Sequence, residues 1–244
     1  MPNLMEITFR RFNAALAPGA LALTLAFGAM SPAWAQADHP LYPNPAPLKQ
    51  YRMASRADEI ALARSAAPAA ISSRAEVLTL GALGYETAVK GDNGFVCLVL
   101  RAWASGFDDA GFWNPKMRGP ICYNPAAARS VLPTDLRRAQ WALAGVSKAE
   151  MEERTKAAIA AHVIVAPEIG AMSYMLSKDG YLNDRDGHWH PHLMFFLPRM
   201  ATAEWGANLA GAAVMGDGDS LEPLTVFFVP VPRWSDETPG QMGM

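Results

Sequence analysis

Cysteine is almost missing from this chain: two residues in 244, Cys97 and Cys122. So few exclude a cysteine-built zinc site and a multi-bridge scaffold. Positive charge is not in excess, since 21 Lys and Arg stand against 23 Asp and Glu for a formal net charge of −2. A chain so balanced has no basic field to hold a phosphate backbone, and no nucleic acid is expected as a partner. No fixed-period repeat is present. Past the N-terminal region no apolar run approaches the ~20 residues that span a bilayer as a helix. The sequence also lacks His-Glu-x-x-His, Cys-x-x-Cys, Gly-x-Ser-x-Gly, Ser-x-x-Lys and a phosphate-binding glycine loop, so none of the familiar catalytic motifs marks an active centre.

The N-terminus reads as a targeting segment. Arg10 and Arg11 precede an apolar stretch from Ala14 to Met30, and Ser31-Pro32-Ala33-Trp34-Ala35 supplies the small residues of a cleavage site. Residues 1–35 are expected to be a signal peptide, removed after Ala35, with a periplasmic or secreted mature chain. Cleavage leaves 209 residues with no integral membrane segment, a length that suits one domain with a sizeable core. In an oxidising compartment an even cysteine count predicts a disulfide, Cys97–Cys122, which stabilises by ~3 kcal/mol in the chain-entropy picture.

Pro40, Pro43, Pro45 and Pro47 make residues 36–53 an extended proline-rich arm. Residues 54–234 are read as a single domain and 235–244 as a flexible tail. Ser55 caps a helix with Asp58 in its first turn. Val77 to Val89 reads as one long strand, with Gly81 and Gly84 marking a bulge or a close approach of another backbone. The turn cluster Lys90 to Gly94 leads into a second strand over Phe95 to Trp103, so the two form a β-hairpin. Ala104 to Tyr123 is a long loop rich in aromatics. Asn124-Pro125, Thr134 and Ser147 each open a helix, the second following a stop at Pro133. Further strands fall at Met172–Ser177, His192–Leu197 and Leu224–Val231, with a Gly/Asp loop at 212–223. The expected fold class is α+β: an antiparallel sheet of four or five strands with helices packed on one face.

Chemistry concentrates in Asp184-Arg185-Asp186-Gly187-His188-Trp189-His190-Pro191-His192, which holds three of the five histidines. On a strand, neighbours at i and i+2 share a face about 6.6 Å apart, close enough for two imidazoles to meet one ion at ~2 Å each. The candidate metal ligands are His188, His190, His192 and Asp184, with Asp186, Glu168 and His162 as further donors. The ion would be zinc or another divalent transition metal. With an open coordination position, or with one of His188 and His190 as base oriented by Asp184 or Asp186, the cluster supports hydrolysis. Two other readings stay open. The histidines and aspartates can simply bond the backbone of their own loop. The chain can also be a non-enzymatic envelope binding protein that uses the aromatic loop around Phe112-Trp113 as its contact surface. The expected partner is a small molecule or an envelope component.

Overall fold

The sheet has eight strands. They lie in the order β2-β1-β3-β4-β5-β6-β8-β7, with β1 and β3 parallel and every other neighbouring pair antiparallel. The computed structural model describes residues 42–240; the expected signal peptide, the start of the arm and the end of the tail lie outside them. A sheet of four or five antiparallel strands is therefore corrected, and three segments account for the difference. Val77–Val89 is itself a hairpin, β1 (Glu76–Leu80) and β2 (Tyr85–Val89). Its two glycines make the turn rather than a bulge: Gly81 N–H donates to the Gly84 carbonyl at 2.8 Å, and Gly84 has φ +148°, which other residues avoid. The predicted partner, β3 (Val96–Leu100), instead runs parallel to β1. The end of the aromatic loop is a strand, β4 (Gly119–Tyr123), buried along its whole length. The Gly/Asp loop contains the short edge strand β7 (Met215–Asp217).

The strands β5 (Met172–Met175), β6 (His192–Pro198) and β8 (Leu224–Pro230) lie close to their expected positions. Three of the four helix starts read from the sequence also hold, and two single helical turns join them, α1 (Leu48–Tyr51), inside the arm expected to be extended, and α3 (Ala69–Ser72). Ser55 accepts from Asp58 N–H at the start of α2 (Arg56–Arg64), Asn124 from Ala127 N–H at α4 (Pro125–Ser130), and Ser147 from Glu150 N–H at α6 (Lys148–Ala160). Between the last two, α5 (Leu132–Leu143) starts before Thr134 and carries Pro133 in its first turn, where a missing N–H costs nothing.

Helices cover both faces of the sheet, not one. Side chains alternate across a strand. Cys97 and Val99 of β3 and Cys122 of β4 pack with Ala63, Ala66 and Ala67 at the end of α2. Their neighbours Leu98, Leu100, Ile121 and Tyr123 pack on the opposite face with Ala127, Val131 and Leu132 of α4 and α5. Cys97 and Cys122 are direct cross-strand partners and form the disulfide. A third cluster holds Tyr51, Leu80, Trp103, Phe112, Trp113 and Met151. It anchors the C-terminal part of the proline-rich arm, because Tyr51 is buried and its hydroxyl donates to the Trp113 carbonyl at 2.9 Å. Arg101, wholly buried, is satisfied by Glu59 at 2.8 Å, by the Tyr51 carbonyl at 2.6 Å and by the Val99 carbonyl. At the other end, Lys178 pairs with Asp236 at 2.5 Å and Ser235 N–H donates to the Leu176 carbonyl, so the described part of the expected tail is tied to the domain.

Candidate functional site

The acidic loop, Tyr181 to His190, spends its polar groups locally. The Asp184 carboxylate accepts from Lys116 Nζ at 2.9 Å and from the hydroxyls of Tyr42 and Tyr181. These bonds, Tyr181's foremost, hold its pKa down at about 2. Asp186 takes both Arg185 nitrogens at 2.9 Å and Asn183 Nδ2 at 3.0 Å, and its pKa is lowered first by Arg185 and then by Asn183. His188 sits with Nδ1 2.7 Å from the Gly180 carbonyl. Glu168 is ion-paired with Arg129 at 2.6 Å. His162 stands just past the end of α6 with φ +55°. His190 is exposed at the loop's end. Among the described residues no three His, Cys, Asp or Glu side chains are grouped to hold a metal ion.

His192 and Trp189 leave this loop and turn inward. His192 begins β6 and is 7% exposed. Its Nδ1 lies 2.7 Å from the His190 carbonyl; a carbonyl only accepts, so Nδ1 carries the proton and Nε2 holds the lone pair. Burial lowers the pKa of this imidazole, which keeps it neutral. Trp189 packs into a cradle of two glycines: a Cβ on Gly180 would come 2.7 Å from its indole nitrogen, and one on Gly119 would come 3.1 Å from its ring. The Trp189 ring meets His192 edge-on at 5.9 Å. The aromatic loop behaves differently. Phe112 and Trp113 are 1% and 4% exposed, so this ring pair fills the domain's own core.

Both His192 and Trp189 line an open cavity of about 820 Å³. Its floor is one face of β6 and β8. Met194 and Phe196 of β6 lie opposite Phe228 and Val226 of β8. On the other face of the same strands Phe195 and Phe227 are covered by Trp205, which stacks on Phe227 at 4.4 Å. On the inner face α4 and α5 leave Met194, Val226 and Phe228 half-buried against the cavity. Val131, Thr134, Asp135 and Arg138 form one wall. Their i, i+3, i+4, i+7 spacing is a single stripe of α5.

That wall carries a polar corner. The Tyr123 hydroxyl donates to Asp135 Oδ2 at 2.6 Å. Burial pushes the Asp135 carboxyl up to about 6, against the opposing pull of Tyr123 and Arg138 and with a small push from Glu222. Burial, followed by Asp135, likewise raises the Tyr123 phenol well above its usual range. Arg138, 4% exposed, commits its terminal nitrogens to Glu222 at 2.5 Å and to the Ser105 carbonyl at 2.7 Å, and its guanidinium lies 4.2 Å from the Phe107 ring; its buried Nε makes no hydrogen bond among the described residues. Glu222 is closed off by Ser220, whose hydroxyl donates to its other oxygen at 2.6 Å.

The chain matches no family model, no curated protein and no solved structure. The site is therefore read from its own chemistry. Of the residues singled out in the sequence, only His192 faces the cavity as a polar group. Tyr123, Asp135, Arg138 and Glu222 were missed. The α5 stripe was the one available signal, because a helix face that starts with Val131 and continues through Asp135 and Arg138 places charge where core is due. Glu222, in a loop, gave none.

Proposed function

We propose that this chain is an exported, non-enzymatic binding protein that holds an apolar or amphipathic small molecule on the open inner face of β6 and β8. One observation carries the reading: a cavity of about 820 Å³ floored by half-buried Met194, Val226 and Phe228. Its size and mostly apolar floor with a few convergent polar groups are those of small-molecule sites, which run ~300–1,000 Å³. Apolar surface left to water forgoes ~25 cal/mol per Å² of burial, so an uncovered sheet face costs stability that a longer helix would recover. The polar corner supports binding over reaction, since Tyr123 is bonded to Asp135 and Arg138 to Glu222. The disulfide and the leader-like N-terminus support a location beyond the cytoplasm. No helix among the described residues is long and apolar enough to cross a membrane.

The test is a titration of the purified, oxidised mature chain with N-phenyl-1-naphthylamine, a neutral fluorophore that brightens in apolar surroundings. We expect saturable enhancement. It is lost in Val226→Arg, which puts a charge on the floor, and kept in Leu83→Arg at a residue 86% exposed elsewhere. No saturable signal from the native protein, or equal signals from both variants with native circular dichroism, would overturn the reading.

A further inference from the structure

Resting on that binding reading, we infer that the guest is an organic ammonium, an apolar body ending in a protonated amine, with Asp135 as its counter-ion. The argument is one of unmet acceptors. An anionic headgroup finds no open cation in the cavity: the terminal nitrogens of Arg138 are matched by Glu222 and backbone carbonyls, its unbonded Nε is buried out of contact, and His192 has its one proton on the His190 carbonyl. Acceptors are in surplus. Asp135 uses Oδ2 for Tyr123, while Oδ1 makes no hydrogen bond among the described residues. Asp108, Asp217 and Asp219 also line the cavity, and none of them has an ion pair among the described residues.

A second, independent feature points the same way. His192 is more than nine-tenths buried and lines the cavity, and its Nε2 lone pair makes no hydrogen bond among the described residues. That lone pair is open to the cavity and not sealed in the core, so a donor-bearing guest can reach it. The rings of Trp189 and Phe228 lie 5.9 and 5.8 Å from the His192 ring, so this lone pair sits in an apolar, aromatic surround. Apolar floor, a reachable imidazole lone pair and carboxylates without an ion pair together suit an amphipathic amine.

The experiment displaces bound N-phenyl-1-naphthylamine from the oxidised mature chain at pH 7.5 with matched alkyl probes below their micelle concentrations: dodecylamine, dodecyltrimethylammonium, dodecanol and dodecanoate. We expect the two cations to displace at least tenfold more tightly than dodecanol, with dodecanoate weakest. Asp135→Asn should cut the cation preference to about twofold. Equal displacement by dodecanol and the cations, tightest displacement by dodecanoate, or a cation preference that survives Asp135→Asn would each overturn the inference. If the fluorophore binds and no alkyl probe displaces it, the ammonium assignment fails while the cavity reading stands. If the fluorophore does not bind at all, the cavity reading itself fails. The permanently charged dodecyltrimethylammonium tests the native protein directly, so the result does not depend on the folding of any variant.

Discussion

Asp135→Asn should make the protein more stable at neutral pH, not less. The native carboxyl is held in a desolvated corner that lifts its pKa from an ordinary 3.8 to about 6. A carboxyl whose pKa is raised by folding binds its proton more tightly in the folded chain. Its stabilising contribution is therefore complete below pH 3.8 and is lost as pH rises through about 6. Two units at ~1.4 kcal/mol each set a ceiling of about 3 kcal/mol on the penalty at pH 7, and water entering the cavity reduces it. Asparagine has nearly the same shape, keeps an oxygen for the Tyr123 hydroxyl and carries no charge to desolvate. Urea unfolding of both proteins from pH 4 to 8 measures the difference, in which all other titrating groups cancel to first order. We expect the variant to gain about 1–3 kcal/mol at pH 7, with the gap closing towards zero at pH 4. A variant less stable at pH 7, or a gap that does not change with pH, would refute the reasoning. Arg138 and Glu222 are the other charged groups at this carboxyl, one on its own helix and one from the loop before β8, and both are locked in their own pair.

Gly180→Ala puts a methyl 2.7 Å from the Trp189 indole nitrogen and 3.2 Å from Pro120, so urea melts should show a loss of about 1–3 kcal/mol, and tryptophan emission should shift as the ring is displaced. Arg101→Met leaves the 5%-exposed Glu59 carboxylate facing an apolar side chain and should cost about 3–5 kcal/mol, part of which returns in the double variant with Glu59→Gln. Removing the Cys97–Cys122 bridge by replacing both residues with Ala should cost about 3 kcal/mol, read as a lower urea midpoint that dithiothreitol no longer changes. Excess zinc should leave the melting temperature unchanged, because no three candidate ligands are grouped among the described residues; a rise of several degrees would return the histidine loop to candidacy as a metal site.

Local features of the fold were legible because local physics decides them. Ser55, Asn124 and Ser147 cap helices through bonds to residues three positions on, and the run from His192 to Leu197 is a strand in any context that buries it. What escaped was non-local. β4 reads as loop because Gly119 and Pro120 are poor strand formers; it is a strand because β3 and β5 pair with it on both sides and its residues are buried. The Gly81–Gly84 turn was hidden by apolar residues on both flanks, so one hairpin looked like one strand. The histidine loop attracted attention by density, yet Asp184 and Asp186 are consumed by partners close at hand, and Tyr42 and Lys116 could not be foreseen from spacing. The polar corner joins positions 123, 135, 138 and 222, and no pattern along the chain links β4, α5 and the loop before β8.

The two ends of the sheet differ in how they are built. Around β1, β3 and β4 both faces are covered, a disulfide joins directly opposed residues, and a wholly buried arginine is fully engaged. Around β6 and β8 the outer face is packed under Trp205, while on the inner face only Phe196 is buried in the core and Met194, Val226 and Phe228 stay half-buried along a cavity that borders a carboxyl whose ionisation burial disfavours. Stability is a few kcal/mol left between large opposing quantities, so an open apolar floor and a desolvated carboxylate persist only where other contacts carry the fold. The cross-linked half supplies those contacts. A chain selected for stability alone would close the inner face with another turn of helix and replace Asp135 with a neutral residue. The retention of both features at a single cavity is why we place function there and not at the histidine-rich loop beside it.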